Sequence, residues 1–427
     1  MEDVSPREYL FGLEQYGIKL GLETITYLLD ASGRPQQAYP TVHVAGTNGK
    51  GSVVAFLSAI LRAAGCRVGQ FTSPHLIDLT ERFQVDGAPI CENALSENAS
   101  YFKTIADGRQ WWPPTFFEMN AAIAFRWFAQ CGVDCGVIEV GLGGRFDATN
   151  VIVPEVSVIV TIDRDHMRFL GETLEEIAFE KAGIMKQTRP VVVGETKSAP
   201  RRVLLARAAE LHCPVDVIDW DFRYAVSGTA MEPQFRFESD TLRFGPAPLG
   251  LAGKYQGQNA AVAVAAARRL MERFPRVNEQ TIVTGLRTAR WPCRLEKVLD
   301  DPVVIIDVAH NTAGAKRLAE TLPQKYVMLL AVSNDKDVKG MLDALAPMAD
   351  TFILTQFTGS RALPVAGLCA AAGAYAHRSA PTVMEAIAMG MDLASSERPL
   401  LITGSIFTAG EARSILVRDY GAPPLRF

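Results

Sequence analysis

No apolar run in the 427-residue sequence approaches the roughly 18 residues that cross a bilayer, so no membrane-spanning helix and no membrane partner are expected. The N-terminus reads Met-Glu-Asp, without a basic stretch leading into an apolar one, and no signal peptide is expected. There is no excess charge of one sign: 43 Lys and Arg face 47 Asp and Glu, a net charge of −4, and nothing advertises a nucleic-acid partner. Cysteines form no framework. The seven (66, 91, 131, 135, 213, 293 and 369) make no Cys-x-x-Cys pair, and the spacing of Cys131 and Cys135 has no metal-like second pair. That pattern predicts buried free thiols in a reducing, cytoplasmic setting. Solenoid repeats and low-complexity tracts are also absent. The remainder, 48% hydrophobic and 21% charged, is the composition of a folded chain of two or three domains.

The hydrophobic pattern is that of alternating strands and helices. Thr41–Ala45 reads as a short strand, followed by a Gly-rich turn and a helix from about Gly51 to Ala64. Val68–Phe71, Gly136–Val140, Glu155–Ile162, Pro190–Gly194 and Pro214–Asp219 are short and apolar, as buried parallel strands are. Phe116–Gln130 has helical spacing. Between Phe222 and Phe244 the pattern shortens and alternates (Phe235, Phe237; Leu242, Phe244), which predicts a small antiparallel sheet. An Ala-rich helix follows over Asn259–Arg273. Ala289–Cys293 reads as a linker, because the residue before Pro292 is pushed out of helical geometry. A second α/β series has strands at Val303–Ala309, Tyr326–Val332, Thr351–Thr355 and Pro399–Thr403, with helices near Ala313–Leu322, Val338–Met348 and Thr382–Ala394. The fold class expected is α/β: an N-terminal domain with a mostly parallel sheet over 1–292, which the loop described next marks as a P-loop ATP-binding domain, and a smaller Rossmann-like α/β domain over 293–427.

Between the first strand and its helix lies His43-Val44-Ala45-Gly46-Thr47-Asn48-Gly49-Lys50-Gly51-Ser52. Its glycines let the backbone wrap an anion, and the helix N-terminus adds oriented N–H groups. Lys50 supplies a cation for the outer phosphates, and Ser52 can reach a Mg²⁺ or a phosphate oxygen. The spacing departs from G-x-x-x-x-G-K-[ST], so a turn without a ligand stays open on this segment alone.

The segment Gly46–Ser52 resembles the ATP loop of the Mur ligase superfamily, in its folylpolyglutamate synthase/dihydrofolate synthase branch. Further blocks agree in order: Lys19–Glu23, Phe71–Leu76 with Glu81-Arg82, Thr115–Glu118, Glu139–Asn150, Asp165-His166, Glu180–Ile184, Gln258–Ala261, Trp291–Leu295, Asp307–Asn311, Asp335–Asp337 and Gly404-Ser405. Departures are Cys293 where the family has Gly, Phe146 where Leu is common, Arg164 and Arg168 flanking the Asp-His block, and Thr408-Ala409 in the last block. They bear on substrate preference and on the hinge.

The resemblance implies an ATP-dependent ligase that joins L-glutamate to dihydropteroate, to reduced folates or to both, through an acyl phosphate. Lys50, Glu139, His166 and Lys181 would be catalytic. Asn48, Gly49, Lys50, Gly51, Ser52, Asn259, Arg294, Asp307 and His310 would bind ATP. Ser73, Glu139 and His166 would ligate Mg²⁺, with two ions expected, and Lys181 would carry CO₂ as a carbamate, which first requires a neutral amine. Arg82, Thr115, Phe116, Phe117, Glu118, Phe146, Asp147 and Ala148 would receive the folate, and Ser405 the glutamate. A monomer is expected. Two other readings remain at this stage: a Mur ligase for another acid such as a UDP-muramyl peptide, and a nucleotide-binding regulator without catalysis.

Overall fold

The computed structural model describes residues 5–108 and 113–427. In chain order the N-terminal sheet strands are β1 (Thr41–Ala45), β2 (Val68–Phe71), β3 (Phe83–Val85), β4 (Ala88–Pro89), β5 (Cys135–Glu139), β6 (Val156–Ile159), β7 (Val191–Val193) and β8 (Val215–Val217). They lie in the order β4-β3-β2-β5-β1-β6-β7-β8. The neighbours from β2 through β5, β1, β6 and β7 to β8 are parallel, and the β2–β3 and β3–β4 pairs at one edge are antiparallel. The central strands β1 and β5 are buried along their whole length, which explains why they are mostly apolar, with Thr41, His43 and Glu139 as buried polar exceptions.

Helices Lys50–Ala63 and Gln256–Leu270 pack on this sheet, and Glu279–Thr288 packs on Lys50–Ala63. The Ala-rich surface of Gln256–Leu270 permits close approach, and a Cβ at Gly285 would stand 2.4 Å from the Ile60 Cα. The antiparallel sheet expected near Phe222–Phe244 is β9 (Phe222–Gly228), β10 (Pro233–Ser239) and β11 (Arg243–Pro248). Phe235, Phe237 and Phe244 point inward and join the same core as the large sheet.

The second series forms its own six-stranded sheet: β12 (Glu296–Asp300), β13 (Val303–Ile306), β14 (Tyr326–Leu330), β15 (Ala349–Leu354), β16 (His377–Ser379) and β17 (Leu400–Thr403), ordered β12-β13-β17-β14-β15-β16. Only β12 is antiparallel to its neighbour. The two-domain α/β architecture is thus as expected, with separate cores on the two sides of the linker.

Several elements carry too weak an apolar pattern to read from sequence. Helix Glu92–Asp107 buries Leu95, Asn98, Ala99 and Phe102, and the polar Asn98 interrupts its stripe. Strands β12 and β16 are edge strands: β16 is exposed throughout, and β12 buries only Val298. The expectation of buried thiols holds for Cys135 and Cys293 only. Cys91 is exposed and the other four are intermediate: Cys66, Cys131 and Cys213 lie at or just beyond element ends, and Cys369 lies within helix Val365–Ala372. Among the described residues no helix is long and apolar enough to cross a membrane.

Candidate active site

The phosphate-loop segment leaves β1 at Gly46 and enters helix Lys50–Ala63 through Gly49, which sits in the left-handed region at φ 89. The Thr47 N–H donates to the Thr161 carbonyl (2.7 Å), and Asn48 and Thr161 exchange two hydrogen bonds. The loop is also packed from outside. A Cβ at Gly49 would stand 2.4 Å from Asn259 Oδ1, and one at Gly51 would stand 2.7 Å from the Trp291 ring. Gly49→Ala therefore combines a strained φ with a steric conflict. It is expected to weaken ADP binding by about tenfold or more while the protein stays folded, as calorimetric titration would show.

Two lysines converge on one carbonyl. Lys50 Nζ donates to the Gly46 (3.2 Å) and Thr47 (3.3 Å) carbonyls, and Lys181 Nζ donates to the Gly46 carbonyl at 3.0 Å. Lys181 belongs to helix Leu174–Ala182 and is buried there. Burial, with the Lys50 charge adding to it, pulls its ammonium down to about 7. The nearby acid is Glu139 at the end of β5, its Oε1 3.9 Å from Lys50 Nζ and its Oε2 accepting from the Ser73 N–H at 3.3 Å. Burial raises the Glu139 carboxyl, and the Lys50 charge offsets part of that rise.

These groups face a cavity of about 300 Å³ between the domains, lined also by Ser73, His166, Arg294, His310 and Ser405. Smaller space, about 40 Å³, continues past Asn48, Ser52 and Asn259 to Tyr255, Asn311 and Arg317. A larger concavity of about 780 Å³ lies elsewhere, beside β8 and β9, but its arginines Arg268 and Arg269 are committed to Asp216. The domains touch across the cleft: Lys336 Nζ lies 3.3 Å from Asp165, His310 Nε2 lies 4.0 Å from the same carboxylate, and Asn311 reaches Asn48 at 3.5 Å. Burial brings His310 down to about 4, so it meets the cleft as a neutral imidazole near pH 7. His166, in a left-handed conformation at φ 50, is lowered for the same reason.

Asp307, expected to bind ATP, lines the smaller space, and its oxygens are engaged within the chain. One carboxylate oxygen accepts from Ala309 N–H (2.8 Å), and the other from Leu295 N–H (2.9 Å) and Tyr255 Oη (3.3 Å). It holds the linker in shape. On the other side of Arg294, the Cys293 N–H donates to Glu296 (2.8 Å), so the arginine stands between two anchored neighbours. Both neighbours have positive φ, 57 at Cys293 and 50 at Leu295. Cys293 therefore carries a conformation that the family's glycine adopts without strain.

The residues expected to hold the folate do not line the cavity. Thr115 caps helix Phe116–Cys131, and its hydroxyl and backbone N–H are paired with Glu118. Phe116 is buried and stacks on Phe11 (5.8 Å), and Phe117 is half-buried, packing on Phe71 and over Gly141. Arg82 is buried and donates to His75 Nδ1 at 3.0 Å, which puts His75, a cavity residue the sequence reading left unassigned, between it and the cleft. The Asp147 carboxylate accepts from Leu142 and Thr149 of its own loop, and Ala148 is buried. Phe146 is half exposed under Arg145, outside the cavity. A capping box or an Asx turn uses the same residue types as a ligand site, so these pairings could not be read from the sequence.

Other residues acquire a place only in three dimensions. Trp291 covers Gly51, Lys336 spans the cleft, and Tyr255 supports Asp307. Trp291 and Lys336 sit in blocks visible in the sequence, but spacing along the chain carries no information on which residue each one meets.

Among the described residues no three His, Cys, Asp or Glu side chains gather into a ready-made metal cage. Glu139 and Ser73 do offer hard oxygens in the same cavity as His166. That donor set fits a Mg²⁺ ion that takes its remaining ligands from phosphate and water.

Residues 44–267 match the Mur ligase middle domain and residues 293–406 the Mur ligase glutamate ligase domain. The chain is 34% identical over 421 residues to the dihydrofolate synthase/folylpolyglutamate synthase of Bacillus subtilis, covering 96% of this chain and 98% of that protein. It is 35% identical to the Mycobacterium tuberculosis protein of the same name, over 93% of this chain and 90% of the other. Among solved structures, Escherichia coli FolC in complex with DHPP and ADP aligns with a TM-score of 0.87 at 31% identity, covering 97% of this chain and 98% of that one. The ADP complex of M. tuberculosis folylpolyglutamate synthase gives 0.88 at 34%, with the same coverages.

Proposed function

The chain belongs to the folylpolyglutamate synthase/dihydrofolate synthase family of the Mur ligase superfamily, and we propose that it ligates L-glutamate to both 7,8-dihydropteroate and reduced folates. It is an ATP-dependent ligase. The observation that carries the site assignment is the convergence of Lys50 and Lys181 on one carbonyl beside the buried Glu139, at the mouth of a cleft between the domains. The relatives named above are all folate enzymes, which leaves a UDP-muramyl peptide without support as the acid.

In this reading a substrate carboxylate oxygen attacks the γ-phosphorus of ATP and ADP departs. The glutamate amine then attacks the acyl carbonyl, and the C–O bond to phosphate breaks. Asn48–Ser52 and the helix N-terminus cradle the phosphates. Lys50 meets the charge that develops on the transferred group, and Arg294 approaches it from the linker. Asn259, against Gly49, and the neutral His310 frame the nucleotide, while Asp307 sets the linker on which Arg294 rides. Glu139, Ser73 and His166 would hold Mg²⁺, which neutralises phosphate charge and orients its oxygens. Lys181 is proposed to carry CO₂, because an amine lowered to about 7 is neutral in a substantial fraction of molecules near that pH. The resulting anion would lie beside Lys50. A second Mg²⁺ bound there is part of the same proposal.

The acid is proposed to lie along Thr72–Leu76 and Gly141–Gly143, with glutamate at the Ser405 end of the cleft. All of these groups come from one chain, so the proposed working unit is a monomer, with the domain boundary at 292/293. The decisive experiment is phosphate release from ATP, Mg²⁺ and L-glutamate with dihydropteroate, with a reduced monoglutamyl folate and with no acid. Release with both acids is expected. Release with one alone would restrict the activity to that acid, and an ATP-binding protein that responds to neither would be read as the non-catalytic regulator.

A further inference from the structure

Residues 421–427 form a second connection between the domains, far along the chain from the linker. They leave helix Ile406–Tyr420 at Gly421, which turns in the left-handed region at φ 70. Ala422 is buried in the core of the C-terminal domain, and its N–H donates to the Leu416 carbonyl at 3.0 Å. Pro423 and Pro424 follow. Consecutive prolines fix φ and favour an extended, semi-rigid backbone, so this stretch behaves as a spacer and not as a slack tail.

The other end of the segment rests on the N-terminal domain. The Phe427 ring meets Trp291 edge to face, with centroids 6.1 Å apart and planes at 71°. Its carbonyl oxygen stands 2.9 Å from where a Cβ of Gly87 would be, at the tip of the β3–β4 hairpin, and the Arg62 guanidinium crowds the same spot. Trp291 in turn lies over Gly51, and Phe427 itself lines the cleft. One end of the segment is therefore built into the C-terminal core, and the other braces the residue that covers the phosphate loop.

We propose that residues 421–427 are a strut that latches the cleft, seating Phe427 against Trp291 when the domains close and so coupling closure to the covering of the nucleotide. The prolines serve this role because a pre-stiffened spacer loses little entropy on docking. The proposal rests on nucleotide binding at the loop and not on the identity of the acid.

The test uses the full chain, F427A, F427W and a deletion of 423–427. ADP affinity is read by calorimetry, KM for ATP and kcat by phosphate release, and the radius of gyration by X-ray scattering. F427A and the deletion are expected to weaken ADP binding and raise KM for ATP by about three- to tenfold, with kcat within about twofold, since removing one aromatic contact lowers the closed fraction without touching the reacting atoms. Both are expected to increase the radius of gyration of the ADP-bound protein, and F427W is expected to restore wild-type values. Wild-type ADP affinity in the deletion would overturn the proposal. So would a loss in F427W equal to that in F427A, which would mark a purely structural site. Absence of phosphate release with every folate acid would count against the folate reading and leave the ADP and scattering results interpretable.

Discussion

Lys181→Met is expected to yield a protein that is more stable and almost inactive. The stability gain follows from linkage. Lys181 is buried and its ammonium sits at about 7, against an ordinary value of 10.5. Between those two pH values the unfolded chain holds a proton that the folded chain lacks, so wild-type stability rises with pH across that window. The cost is fully present below pH 7 and fades toward pH 10.5. Methionine has a similar length, keeps the packing and carries no charge to desolvate. The melting temperature of the ligand-free, bicarbonate-free variant should exceed that of wild type by several degrees at pH 7, and the gap should narrow as pH rises. Activity should fall by about 10²–10³-fold, the scale of losing one preorganised electrostatic group at a phosphoryl-transfer site. If the working form is a carbamate, acetate or another short carboxylate should recover part of the activity of a Lys181→Ala variant, in which the cavity admits it, and methylamine should not. Rescue by methylamine alone would assign the role to the ammonium. A variant less stable than wild type at pH 7 would show that the lysine is paired in a way its burial and the bond to Gly46 do not reveal.

Glu139→Gln should separate nucleotide binding from turnover. The carboxylate is buried, raised by desolvation, and balanced by Lys50 at 3.9 Å and by the Ser73 N–H. The amide fills the same volume and can still accept from Ser73, but it offers no charge to a Mg²⁺ ion. kcat should drop by about 10²–10⁴-fold, the rate equivalent of about 3–5 kcal/mol of lost charge stabilisation. Metal-free ADP should bind about as tightly as to wild type, since the loop's N–H groups and Lys50 remain. The added affinity conferred by Mg²⁺ should be lost. Retention of that increment in the variant would move the metal away from Glu139. By the linkage that applies to Lys181, a buried carboxyl raised by desolvation costs stability when ionised, so the neutral amide is expected to leave the melting temperature at pH 7 at or above that of wild type.

Local patterns made much of this molecule legible. Strands β1 and β2 have the bounds their sequence pattern predicts, because a strand buried on both faces is mostly apolar and is bounded by turn residues. The Gly46–Ser52 turn, the Phe235/Phe237 alternation and the break before Pro292 were visible because each is dictated within a few residues by backbone sterics or by period. Elements whose stability comes from neighbours were not visible. Helix Glu92–Asp107, edge strand β12 and the Pro423-Pro424 strut depend on what packs against them, and that partner is distant in sequence.

Site chemistry divides in the same way. Sequence alone determined that a Gly-rich loop with Lys50 opens a helix after a buried strand, and that Glu139 closes another strand. Those features require only strand and helix grammar and the chemistry of the side chains. It could not distinguish a carboxylate reserved for a ligand from one spent on the backbone. Asp307 and Asp147 read as binding groups, and in the fold their oxygens hold the linker and a turn. Tertiary structure alone decided that Lys181, 131 residues beyond Lys50, shares the Gly46 carbonyl with it. It alone decided that Trp291 lies over Gly51 and that Lys336 meets Asp165 across the cleft. The reason is physical: a pKa, a steric shield and an ion pair are properties of distance and burial, and the fold sets both by bringing together groups that the chain keeps apart.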